Sequence, residues 1–166
     1  MAVAGPSTTE VDRPTSSTAA TSTTATTTTT TAPPSDEELI AEVVMGYTML
    51  YERLGQPVDP DAAHLRELLT GPILERADEI LRGHAASGTY YEGRFEIEIR
   101  DVTIEGDAAT VHTCSRDDIT RYRADGTVEA GPDDWASEAD VELRRTPEGW
   151  RIAEVTTRSD DRCALG

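Results

Sequence analysis

The stretch Tyr91–Ser115, YEGRFEIEIRDVTIEGDAATVHTCS, decides the fold. Phe95, Ile97 and Ile99 alternate with Arg94, Glu96, Glu98 and Arg100. A period of two with one apolar side marks a strand that is dry on one face and wet on the other. Val102 and Ile104 resume an odd step after Ile99. A bulge near Asp101 would return both sets to one face and bend the strand. Glu105-Gly106-Asp107 makes the turn, and Ala109 and Val111 then alternate with Thr110, His112 and Cys114. A sheet dry on one side needs a cover, and the segments upstream supply it.

Working outward from this hairpin, Ser35-Asp36-Glu37-Glu38 is a capping box with three acids in the first turn. Leu39, Val43, Tyr47, Leu50 and Leu54 follow at helical spacing, widened by Ile40, Val44 and Tyr51, and Gly55 is the expected stop. Asp59-Pro60 opens a second, short helix with Ala62, Leu65, Leu68 and Leu69 on its apolar side. Gly71-Pro72 opens a third, whose stripe Ile73, Leu74, Ala77, Ile80 and Leu81 is expected to end near Gly83, with a loop over 85–88. Downstream, Ile119–Arg123 reads as a polar strand and Asp125-Gly126 as a hairpin turn. VEAGPDDW (128–135) reads as a loop with a short strand piece. Ala139, Val141 and Leu143 alternate on the next strand, Pro147-Glu148-Gly149 turns, and Trp150–Thr157 closes the sheet. The expected class is α+β, three N-terminal helices on a curved, mainly antiparallel sheet.

Residues 1–34 are different in kind. They are rich in Thr, Ser and Pro, with the run Thr26–Thr31, and hold too little apolar surface to offset the entropy of ordering. Such a segment reads as a stalk, often O-glycosylated, or as a plain disordered linker, leaving 35–166 as the folded domain. The chain has no Asn, hence no N-glycosylation acceptor. The start MAVAGP lacks a basic region and an apolar core, so no signal peptide is visible. The stalk nonetheless points to an extracytoplasmic protein, cell-surface or secreted, whose export signal or lipid-bearing Cys has been replaced by a starting Met.

Over 166 residues, Asp and Glu number 32 against 15 basic residues, all Arg, for a net charge of −17. That balance argues against nucleic acid and anionic membranes as partners. No apolar run has the length of a transmembrane segment. Cys114 and Cys163 lie outside any metal spacing. Two Cys in an exported domain suggest one disulfide, which would pin the tail to the second strand of the central hairpin. Closing a loop of that length is worth about 4 kcal/mol on the chain-entropy account. The alternative is two unrelated thiols in a cytosolic protein.

The order of elements and the closing strand Gly149-Trp150-Arg151-Ile152-Ala153-Glu154-Val155 resemble the nuclear transport factor two-like superfamily, a cone-shaped α+β (cystatin-like) roll. Pro57–Asp61, Thr70-Gly71-Pro72, Gly106–Val111 and Cys114 further resemble small actinobacterial secreted or lipoprotein members with a Thr-rich leader. In those members a Cys late in the hairpin and another near the C-terminus are typical. The resemblance covers Ser35–Cys163 and implies a cone that can hold a small apolar ligand. The superfamily's enzymes, isomerases and dehydratases among them, use an Asp or an Asp/His pair inside the cone.

No catalytic residue is assigned from this sequence. His112 falls on the wet face, His64 and His84 lie on or beside helices, and a bulge explains Asp101. Tyr47 and Tyr51, one turn apart, could face the cavity beside Trp150 with polar tips that orient a ligand; packing in the core or at the rim is the plainer account of all three. The pairs Asp117-Asp118, Asp133-Asp134 and Asp160-Asp161 read as solvated turns, so neither metal nor cofactor is expected. The expected function is a non-enzymatic binding or interaction domain with a small apolar ligand or an envelope protein as partner. Its alternatives are a cone-fold isomerase or dehydratase and a homodimeric scaffold paired through the outer sheet face. A filled cavity favours the first; an acid at the cavity floor favours the enzyme.

Overall fold

A computed structural model describes residues 33–132 and 136–165. The Thr/Pro-rich leader, apart from Pro33 and Pro34, lies outside them, as do Asp133 and Asp134. Helix α1 runs Asp36–Thr48, and the expected capping box is formed. Ser35 Oγ accepts from the Glu38 amide at 3.3 Å, while Glu38 Oε2 accepts from the Ser35 amide at 2.7 Å. The helix does not continue to Gly55. It breaks at Met49, and a separate turn, α2, spans Leu50–Arg53. Side chains take the carbonyls there: Thr48 Oγ1 donates to Met45 O at 2.7 Å and the Arg53 guanidinium donates to Gly46 O. Back-bonding of this kind bends helices. The break also turns the buried face, so that Ile40, Val44, Thr48, Leu50 and Leu54 are fully buried while Leu39, Val43 and Tyr47 are half-buried.

The expected second helix is likewise divided. Asp59 Oδ1 accepts from the Asp61 amide, a 3-10 turn spans Asp61–Ala63, and His64 adopts a left-handed conformation (φ 50°) before α3, Leu65–Leu68. Helix α4 runs Gly71–Ser87, past Gly83, and ends on Gly88 at φ 72°. The expectation of three helices is therefore corrected to four α-helices and one 3-10 turn among the described residues, because local side-chain bonds and one left-handed residue cut two of the segments.

The strands are β1 Tyr90–Glu92, β2 Phe95–Glu105, β3 Ala108–Asp117, β4 Thr120–Tyr122, β5 Val128–Ala130, β6 Ser137–Thr146 and β7 Gly149–Arg162. They form a four-stranded antiparallel sheet, β2-β3-β6-β7, and a three-stranded one, β1-β4-β5. The first stretch of the central hairpin is thus split at Gly93. There φ is 118°, and an added Cβ would stand 2.2 Å from Asp118 O, so only glycine lets the two chains cross this closely. The bulge expected near Asp101 is present: the register shifts between Ile99 and Asp101, which keeps Ile97, Ile99, Val102 and Ile104 on the core side. Phe95, Ile97 and Ile99 are half-buried, as suits an edge strand. A second bulge, between Glu142 and Leu143 in the β6–β7 register, puts Trp150 and Ile152 in phase with Val155 and Thr157.

Helix α1 packs on β7 and β2, α4 on β7, and α3 fills the space between α1, α4 and β7. Leu69 bridges Ile152 in parallel, and the Thr70 amide donates to Ile152 O at 2.9 Å, tying the α3–α4 junction to the edge of β7. The core joins Ile40, Val44, Leu54, Leu69, Val111, Leu143, Trp150 and Ile152. Each such side chain contributes roughly 1.5–3 kcal/mol on burial. Among the described residues no helix is long and apolar enough to cross a membrane.

Candidate functional site

The inner sheet face changes character along its length. Where α1 begins, it presents Leu143, Trp150 and Ile152, all essentially unexposed. Where α1 ends, the cross-strand row Ile99–Thr113–Ala139–Thr157 and the neighbouring Ser115 present smaller groups. Small side chains opposite a breaking helix leave space, and a cavity of ≈ 200 Å³ lies there. Its sheet wall is Phe95, Ile97, Thr113, Ser115, Asp117, Ala139, Val141, Val155 and Thr157; its helical wall is Val44, Tyr47, Thr48 and Tyr51.

The polar groups on that wall divide into spent and open. Thr113 Oγ1 donates to Ala139 O at 3.1 Å, and Thr48 Oγ1 to Met45 O. Asp117 Oδ1 accepts from the Ile119 amide at 2.7 Å. Neither the Tyr47 nor the Tyr51 hydroxyl has a hydrogen-bond partner among the described residues. Burial raises both phenol pKa values; for Tyr51 the neighbouring Tyr47, Tyr91 and Asp117 add to the effect of burial. Both phenols therefore stay protonated at physiological pH and can donate.

On the far side of the same two tyrosines runs an open groove of ≈ 320 Å³. It shares Tyr47, Tyr51 and Val155 with the cavity and adds Leu50, Ile73, Arg76, Ala77, Ile80, Leu81 and Tyr91. Ile80 is 47% exposed at its edge. Tyr91 meets Tyr51 edge-on at 5.0 Å, and its hydroxyl hydrogen-bonds His84 Nδ1. Burial, then the charge of Arg121, lowers the His84 pKa, so this imidazole is neutral at pH 7.

The structure brings Tyr47 and Tyr51 together on the cavity wall and sets Trp150 apart, correcting the expectation that the three share one site. Trp150 is 2% exposed and lines a different groove, with Leu39, Val43 and Leu68. Its Nε1 donates to Asp36 Oδ1 at 3.2 Å, and the Arg145 guanidinium lies 4.4 Å from its ring centroid. Arg145 also pairs with Asp36, and the bonds from Arg145 and then Trp150 lower the Asp36 pKa. Trp150 is thus the clasp between the start of α1 and the last strand. Asp117, Tyr91 and Arg76 are site residues that the sequence reading missed. Asp117 was legible, since it continues the inward series Ala109, Val111, Thr113, Ser115.

Cys114 and Cys163 form a disulfide, with Cα atoms 6.0 Å apart. Cys114 has the outward phase of β3 and is nonetheless wholly buried, because the tail lies over it. The Cys163 amide donates to Ala136 O at 3.4 Å, and Arg100 donates to Ala164 O. Around it the outer face carries ion pairs within the chain: Glu96–Arg116, Glu98–Arg100, and His112 and Arg158 on Asp140. Asp101, on the same face, is exposed and accepts from Thr103 Oγ1. Among the described residues no cluster of three or more His, Cys, Asp or Glu is arranged to hold a metal ion.

No protein-family profile and no curated protein matches the chain. Solved structures do. The intermembrane space region of chloroplast protein ARC6 is similar with a TM-score of 0.59 at 17% identity, over 75% of this chain and 98% of that one. Kfla4162 from Kribbella flavida is similar with a TM-score of 0.51 at 22% identity, over 76% and 92%. An NTF2-like protein with a cystatin-like fold from Novosphingobium aromaticivorans also matches, with a TM-score of 0.44 at 23% identity, over 74% and 80%. The likeness of this chain to the first two of these structures is one of fold.

Proposed function

We propose that this chain is a non-enzymatic binding domain that works outside the cytoplasm, held off the cell envelope by its Thr-rich stalk, and that takes a small, largely apolar ligand in the cavity under α1. The cavity is not filled by side chains, contrary to what was expected of a binding domain; one observation carries the reading instead, a mostly apolar lining on which the Tyr47 and Tyr51 hydroxyls have no hydrogen-bond partner among the described residues. Concave apolar sites with a few convergent polar groups are where small ligands bind. The disulfide supports the location, since such bonds persist in oxidising compartments.

The test is calorimetric titration with 1-octanol as a neutral apolar probe. Saturable one-to-one binding is expected, and Ala139→Leu, which fills the cavity floor, should abolish it with the fold kept by circular dichroism. Non-saturable uptake by both proteins would overturn the reading.

A second reading, a cone-fold isomerase or dehydratase, has Asp117 in its favour, an acid on the wall of an open cavity close enough to act on the Tyr51 phenol. Carbon-13 NMR titration separates the two. An Asp117 carboxyl that titrates in the neutral range favours the enzyme; an ordinary carboxyl favours binding alone.

A further inference from the structure

The inner cavity, at ≈ 200 Å³, falls below the roughly 300 Å³ at which ligand pockets begin, whereas the groove beyond the tyrosines adds ≈ 320 Å³. Tyr47, Tyr51 and Val155 line both spaces. Charge within them is sparse and placed by end. Among the described residues, Arg76 is the one ionic side chain lining the groove and Asp117 the one lining the cavity. The ion pairs of α4 are those of Arg82 with Asp78 and Asp61; Arg76 takes part in none among the described residues. In a chain of net charge −17, an exposed cation left unpaired at the lip of an apolar groove is a local reversal of the molecule's field.

We infer that groove and cavity form one elongated site for a single-chain monocarboxylate, with its carboxylate on Arg76 at the rim and its alkyl chain running past Tyr47 and Tyr51 into the cavity. The orientation follows from where the cation stands. A guanidinium at the lip offers paired donors to a carboxylate. The inner space is lined mainly by apolar side chains, so the acid stays outside and the chain goes in. The apolar walls, Ile73, Ala77 and Ile80 outside and Ile97, Val141 and Val155 inside, give the chain a dry path. This inference rests on the reading of the cavity as a ligand site, and it adds the class of ligand.

The experiment compares octanoate, 1-octanol and octylamine, equal in chain and different in head, on the wild type and on Arg76→Gln. Octanoate should bind tightest and octylamine weakest, against the pull of the overall charge. Binding should tighten about fourfold per added methylene from hexanoate to octanoate, as expected for buried chain. Arg76→Gln should weaken octanoate about fivefold and leave octanol unchanged. Added salt should weaken octanoate and leave octanol unchanged. Equal or tighter binding of octanol or octylamine, or an octanoate preference that survives Arg76→Gln, overturns the carboxylate inference while leaving the cavity reading intact. Absence of binding by all three probes overturns both.

Discussion

The two ends of helix α1 pose one problem and solve it differently. At each an aromatic side chain with a polar tip lies between helix and sheet, Trp150 from β7 at the first end and Tyr47 from α1 at the second. At the first end the tip is answered: Trp150 donates to Asp36, Arg145 covers the ring, and Leu143 and Ile152 leave no room. At the second end Thr113, Ser115 and Ala139 are too small to fill the space, and the Tyr47 and Tyr51 hydroxyls go unanswered among the described residues. The lesson is that an aromatic residue's role is set by the volume and hydrogen-bonding of what stands opposite. The first end is a clasp; on the proposed function the second is a receptacle.

If that contrast is right, stability and binding should come apart. The largest effect belongs to the clasp. Trp150→Ala should cost about 3–5 kcal/mol, read from the urea midpoint, because it removes a large buried side chain and leaves Asp36 without its indole donor. Next is the tail. Reducing the Cys114–Cys163 bridge, which spans 49 residues, should cost about 2–4 kcal/mol on unfolding with little effect on the cavity, since the bond lies on the other sheet face.

A smaller, pH-dependent effect belongs to His84. Its folded pKa lies below the ordinary imidazole value of 6.5, so as pH falls through 6.5 the unfolded chain takes up the proton first. Stability contributed by the neutral imidazole is therefore present above that pH and lost below it, down to the lowered folded value. His84→Gln should flatten this part of a stability–pH profile. The smallest effect is expected from Tyr51→Phe. Deleting a hydroxyl without a protein partner should move the urea midpoint by less than about 0.5 kcal/mol equivalent. Loss of several kcal/mol there would mean that the receptacle is packing after all.

Much of this contrast was written in residue order. The alternation around Phe95–Ile99, the odd step at Asp101 and the Ser35 capping box each carry their own local physics, and each is found as read. The breaks in the helices were not legible. They depend on Arg53 reaching back seven residues to Gly46 and on His64 accepting a left-handed backbone, neither of which leaves a periodic trace. The partition of the aromatics was hidden for the same reason. Trp150 and Tyr51 look alike until the fold puts Trp150 in the core with Leu143 and Tyr51 on a cavity wall with Ala139. Arg76 was hidden too, because a charge between Ile73 and Ile80 on a helix reads as a solvated side until the opposing wall is known.

The most direct test is methyl-resolved NMR of the wild-type chain titrated with octanol. Saturable shifts are expected for Val44, Ile97, Val141 and Val155 at the open end, with Leu39, Leu143 and Ile152 near Trp150 unmoved. Shifts spread equally over both ends, or no shifts at all, would contradict the division of the molecule into a clasp and a receptacle.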